Sequence, residues 1–128
     1  MLLITCLAAL TACDRPTLPT TPLNEEFVLA PGDTIAVDNA SIQIRFDRVT
    51  GDSRCPGDAI CITGGDAIVH VEVISALAAT RRYELHTGNM QPVTHGDLTI
   101  HLVQLAPYPF STRTIQPGDY RVTLRVTR

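Results

Sequence analysis

The chain has 128 residues, 45% of them hydrophobic, and its 13 acids outweigh ten cations for a formal net charge of −3. That length suffices for one domain with a buried core and is short for two; the apolar content lies outside the range of disordered chains. Acids outnumber Arg nine to four over residues 14–66, and Arg outnumbers acids six to four over residues 67–128, which excludes the strongly basic surface of a nucleic-acid binder.

Residues 1–12, MLLITCLAALTA, carry no charge. Twelve apolar residues are too few to span a bilayer, which takes about 20 in a helix, and they suit the apolar region of a secretory signal. The segment ends in Leu10-Thr11-Ala12-Cys13, which resembles a bacterial lipobox. The resemblance implies cleavage before Cys13 and attachment of lipid to its thiol. Residues 13–24 then read as lipidated cysteine and tether, because prolines at 16, 19 and 22 follow the three-residue turn of polyproline II. Eleven such residues extend about 34 Å. The folded domain is expected over residues 25–128.

From Glu25 onward the hydrophobic period is two. At the end of the chain Tyr120, Val122, Leu124 and Val126 alternate with Arg121, Thr123, Arg125 and Thr127, as in a strand with one face buried. Strands are expected at 26–29, 34–38, 41–49, 67–75, 81–87, 98–105 and 120–126. A phase break at Arg48-Val49 predicts a bulge. Pro-Gly-Asp at 31–33, 56–58 and 117–119 suits type II turns, since Pro presets φ and Gly accepts the positive φ that follows. Ser75–Thr80 is too short for more than a turn. The expected fold is an all-β antiparallel sandwich of immunoglobulin-like kind, with an open β-barrel as the alternative.

With Cys6 in the signal and Cys13 lipidated, Cys55 and Cys61 remain. An even pair, close in sequence, in an oxidising compartment reads as a disulfide. A C-x5-C pair alone cannot supply the four ligands of a structural zinc site, and redox pairs are more usually C-x-x-C. The pair lies in a long connection where Asp52, Ser53, Arg54, Pro56, Asp58 and Asp66 form a candidate recognition loop. Asp47, Asp52, Asp58 and Asp66 also allow a calcium reading, although their spacing is not that of an EF-hand. The plainer alternative has Asp52 and Ser53 bonding turn amides while Arg54 pairs with a carboxylate.

The run Asp52-Ser53-Arg54-Cys55-Pro56, four residues, Cys61, then Gly65-Asp66-Ala67 resembles a group of exported bacterial lipoproteins of uncharacterised activity. The flanks IRFDRV (44–49), QLAPYP (104–109) and GDYRVTLRV (118–126) resemble theirs as well. After the second Cys those proteins often have Val-Trp-Ala-Gly, where this chain has Ile62-Thr63-Gly64-Gly65. The resemblance implies export and an all-β fold and brings no activity with it.

No G-x-S-x-G, H-E-x-x-H or phosphate-cradling Gly loop occurs, and Glu25-Glu26 sits beside the tether, so no catalysis and no cofactor are expected. The histidines allow one further site. If His70 faces His86 across paired strands, then His70, Glu72, Glu84 and His86 make a metal-binding cluster. That register opposes Glu72 and Glu84; a slip of two pairs His70 with Glu84 and Glu72 with Arg82, which charge favours. His95 is expected in a turn and His101 on a sheet surface. Together these readings describe a non-catalytic binding or structural module of the bacterial envelope, held to the membrane by lipid and facing the periplasm or cell surface, with another envelope protein as a possible partner. A periplasmic metal- or calcium-binding protein is the alternative.

Overall fold

The computed structural model describes residues 17–128, so the apolar leader and Cys13 lie outside the described residues. Nine strands form: β1 Thr20–Thr21, β2 Glu26–Leu29, β3 Thr34–Val37, β4 Ile42–Thr50, β5 Ile68–Ser75, β6 Ala78–His86, β7 Val93–His95, β8 Leu98–Ala106 and β9 Arg121–Thr127. They make two sheets, β1-β3-β4-β5-β6 and β2-β9-β8-β7. Each sheet buries one face against the other, giving a sandwich rather than a closed barrel. Both sheets are built around consecutive meanders, β3 to β6 and β7 to β9, with β1 and β2 added at the edges.

Alternation along the strands supplies the core. Ile44 and Phe46 on β4, Val69, Val71 and Val73 on β5, Ile100 on β8 and Val122, Leu124 and Val126 on β9 belong to one cluster. The register of β4 on β5 shifts between Phe46 and Arg48, so the bulge falls where the sequence pattern breaks. β5 and β6 pair His70 with Glu84 and Glu72 with Arg82, the charge-favoured register.

Three expectations change. Thr20 and Thr21 are not tether: they lie parallel to Ala36 and Val37 as strand β1, Thr21 is buried, and the Asn24 amide donates to Val126 O at 2.8 Å. Only one Pro-Gly-Asp forms the expected turn, at 31–33, where Gly32 has φ +89° and the Asp33 amide reaches Ala30 O. Pro117–Asp119 instead winds into a 3-10 turn in which Asp119 accepts from the Gln116 amide, and neither Gly57 nor Gly118 is left-handed. His95 lies in strand β7, where its Nδ1 meets the Tyr83 hydroxyl at 2.8 Å.

Candidate functional site: the clasped loop end

β4, β5, β6, β8 and β9 all open onto one end of the sandwich through connections 51–67, 87–92 and 107–120. The first of these is zipped at its base. The Ser53 amide donates to Asp66 O at 2.7 Å, and the Asp66 amide to Ser53 Oγ at 3.1 Å. Gly65 lies so close to the Ser53 carbonyl that a Cβ would overlap it, so the zipper requires glycine there.

Above this base the loop turns inward. The Arg54 side chain is 7% exposed and forks onto Asp52, Nε to Oδ1 at 2.9 Å and Nη2 to Oδ2 at 2.8 Å. Its remaining donors cross to the other sheet, Nη1 to Leu105 O at 2.9 Å and Nη2 to Pro107 O at 3.0 Å. The Tyr120 hydroxyl donates to Asp52 Oδ2 at 2.8 Å, and the guanidinium stands 5.9 Å from the centre of the Tyr108 ring. One planar cation thus ties the five-stranded sheet to the four-stranded one. Segments 52–56, 104–109 and 118–126, far apart in sequence, meet at this point.

The electrostatics follow from these contacts. The guanidinium beside Asp52 holds that carboxyl below its usual range despite burial, with Tyr120 helping, and Asp52 raises Arg54 in return. Burial pushes the Tyr120 phenol up to about 12, and its bond to Asp52 adds to this. Burial also pushes Asp66 upward, but His86 Nδ1 at 2.6 Å and the Gly88 amide at 2.9 Å outweigh it, leaving the carboxyl below its usual range. An ionised carboxylate only accepts, so His86 carries a proton on Nδ1.

Further out, Cys55 and Cys61 are disulfide-bonded, with Cα atoms 6.0 Å apart. The Gly57 amide donates to Pro109 O at 2.8 Å, and Asp58 accepts from the Ser111 amide and hydroxyl, which lowers the exposed Asp58 carboxyl. Two loops are therefore fixed side by side. Large apolar side chains are left outside: Ile60 and Ile62, on either side of Cys61, are fully exposed, and Tyr108 and Phe110 are about half exposed (58% and 47%) on the neighbouring loop, where Arg113 is exposed as well.

Of the expected recognition residues, Asp52 and Arg54 point into the protein, and Ser53, Asp58 and Asp66 are engaged by neighbouring segments; Pro56 sits at the neck of the disulfide loop. The physical reason is that Asp52, Leu105 O and Pro107 O together accept the Arg54 donors, so the guanidinium leaves water with its hydrogen bonds kept. The four aspartates of the calcium reading do not converge: Asp47 takes Arg48, Asp52 takes Arg54, Asp58 takes Ser111 and Asp66 takes His86. The cluster of His70, Glu72, Glu84 and His86 does not assemble either. Glu84 does lie between the histidines, 3.9 Å from His70 Nδ1 and 4.0 Å from His86 Nε2, but Thr50 Oγ1 lies 2.7 Å from His70 Nε2, Glu72 answers Arg45 and Arg82, and His86 Nδ1 turns to Asp66. Among the described residues no three His, Cys, Asp or Glu side chains are grouped to hold a metal ion. A concavity of about 430 Å³ lies at the opposite end of the sandwich, lined by Ala36, Val37, Ser41, Ile42, Gln43, Ile74 and Ala76 without a titratable side chain.

The residues that reading the chain missed as site members are Leu105, Tyr108, Phe110 and Tyr120. Leu105, Tyr108 and Tyr120 lie in the quoted flanking segments, which was their only signal. Fold and site define the class: a two-sheet β-sandwich whose long connections are clasped by a part-buried Asp52–Arg54 pair and display apolar side chains. No protein family, curated protein or solved structure matches the chain.

Proposed function

We propose that the chain is a lipid-anchored protein of the bacterial envelope whose sandwich is a non-catalytic binding or structural module working through its clasped loop end. The lipobox-like Leu10–Cys13 and the resemblance carried by DSRCP support the location. One observation carries the module reading: Asp52, Arg54, Asp58 and Asp66 are held by neighbours within the protein, while Ile60 and Ile62, on either side of Cys61, stand in solvent. Apolar side chains held rigidly outward bind at little ordering cost, whereas a catalytic cleft needs ionisable groups facing a substrate. Fractionation of cells carrying the wild-type chain and Cys13→Ser tests the anchor. The wild-type chain belongs in the membrane fraction and the variant, folded by circular dichroism, outside it; wild-type chain wholly in the soluble fraction overturns the reading.

A further inference from the structure

We propose that the surface met by Ile60 and Ile62 is the bilayer itself, so that the domain stands tip-down on the membrane that holds its lipid. This rests on the anchor reading above. The argument begins at strand β1. It runs parallel to β3, with Thr20 opposite Ala36 and Ala36 opposite Gln43, and Pro19 O accepts from the Ala36 amide. The chain before Thr20 therefore enters along the sandwich edge from the clasped end, not from the hairpin end.

The lengths constrain where the lipid sits. From Gln43 to the end of β4 at Thr50 is seven residues, about 23 Å at roughly 3.3 Å per residue. From Cys13 to Thr20 is also seven residues, which reach at most about 25 Å. A lipid on Cys13 can thus reach about the level of the end of β4 and little beyond. The connection carrying Ile60 and Ile62 starts at that same level. Because β1 is paired into the sheet and Thr21 is buried, the tether cannot lengthen without giving up that pairing. A lipid seated in a bilayer draws the clasped end against it and holds Leu77, at the tip of the β5–β6 hairpin, on the far side.

The chemistry of the tip fits a lipid surface. Residues 59–65, AICITGG, contain no charge, the preceding Asp58 is held by Ser111, and the rings of Tyr108 and Phe110 lie beside Gly57 of the same loop. Exposed aliphatic side chains beside a Tyr make an interfacial anchor. Arg54, the one cation of the 51–67 connection, is turned inward, while Arg113, three residues past Phe110, is exposed, so apolar burial is joined by one cation able to meet anionic headgroups.

The chain contains no Trp, so Ile62→Trp and Leu77→Trp each place a single indole, at side chains 105% and 95% exposed on opposite ends. The lipidated full-length variants are reconstituted into phosphatidylethanolamine/phosphatidylglycerol vesicles with bromine-labelled acyl chains. Ile62→Trp should emit at shorter wavelength and lose about half of its intensity or more, given side chains seated roughly 5–10 Å into the headgroup boundary; Leu77→Trp should keep its own. Equal quenching at both positions, or an unquenched Ile62→Trp on chain that floats with the vesicles, overturns this inference alone and leaves a protein partner for the tip. Chain that does not float with the vesicles overturns the anchor reading and this inference with it.

Discussion

At one end of the sandwich the meander connections are short: residues 38–41 join β3 to β4, Ala76 and Leu77 join β5 to β6, and Gly96 and Asp97 join β7 to β8. Asn39, Ser41 and Gly96 take positive φ there, and distant residues tie these turns down without shaping them: Thr21 O accepts from the Asp38 amide, and Arg128 reaches Asn39 O and Asp97. At the other end residues 51–67 and 107–120 have no regular structure beyond one 3-10 turn, and their conformation is decided by partners about 50 residues or more away: Arg54 on Leu105 and Pro107, Asp58 on Ser111, Asp52 on Tyr120. The difference teaches that the hairpin turns take their shape locally and are only tied down from afar, while the clasped end exists only once both sheets are together. Substitutions at the clasped end should therefore cost far more than equally exposed changes at the hairpin end.

The largest effect should come from Arg54→Ala. It strips Asp52 of its partner and leaves two carbonyls short of a donor, which costs about 3 kcal/mol, read as a lower urea midpoint with unchanged slope. Lys at the same position should recover less than half, because an ammonium cannot fork onto both Asp52 oxygens and reach two carbonyls. An Arg54→Ala variant as stable as the parent would remove the basis for calling this end clasped.

The disulfide should matter less. Closing seven residues contributes about 2.4 kcal/mol by chain entropy, and the apolar core lies on the strands, outside the loop. A Cys55→Ala/Cys61→Ala double variant should still fold, melt roughly 10 °C lower, and be cut first by trypsin at Arg54. Complete unfolding of that variant would show that the loop holds the sandwich together rather than decorating it.

The smallest effect is on pH dependence, and its sign differs at the two extremes. Asp52 has a lowered value when folded, so its stabilisation is full above the unfolded value near 3.8 and is lost as pH falls through the folded one. Tyr120 is raised from 10.0 to about 12, so its contribution is full below 10 and is lost as pH rises towards 12. Denaturation midpoints should fall at both extremes; Asp52→Asn should flatten the acid limb and Tyr120→Phe the alkaline one. Unchanged limbs in both variants would mean the Asp52–Tyr120 bond does not persist in solution.

Much of this architecture was legible beforehand because it is periodic or local. Alternation placed β2, β4, β5, β8 and β9 within a residue or two, the phase break at Arg48 located the bulge, and opposing charges on His70, Glu72, Arg82 and Glu84 selected the register of β6. Two short strands escaped. β1 carries only two residues and owes its pairing to β3, and β7 has three residues with Val93 its one apolar side chain against the core; neither is long enough to show a period.

The sequence by itself determined the longer strands, the turn at 30–33 and the proximity of Cys55 to Cys61, because each depends on neighbours within about ten residues. Only the tertiary structure decided which way the charged loop faces. Asp52, Ser53 and Arg54 read equally well as a polar surface or as internal bracing, and the choice turned on Leu105 O, Pro107 O and the Tyr120 hydroxyl lying within reach. Those acceptors and that donor come from the opposite sheet, whose position relative to the loop no local pattern encodes. Once they captured Asp52 and Arg54, the apolar Ile60 and Ile62 stood exposed further out on the loop.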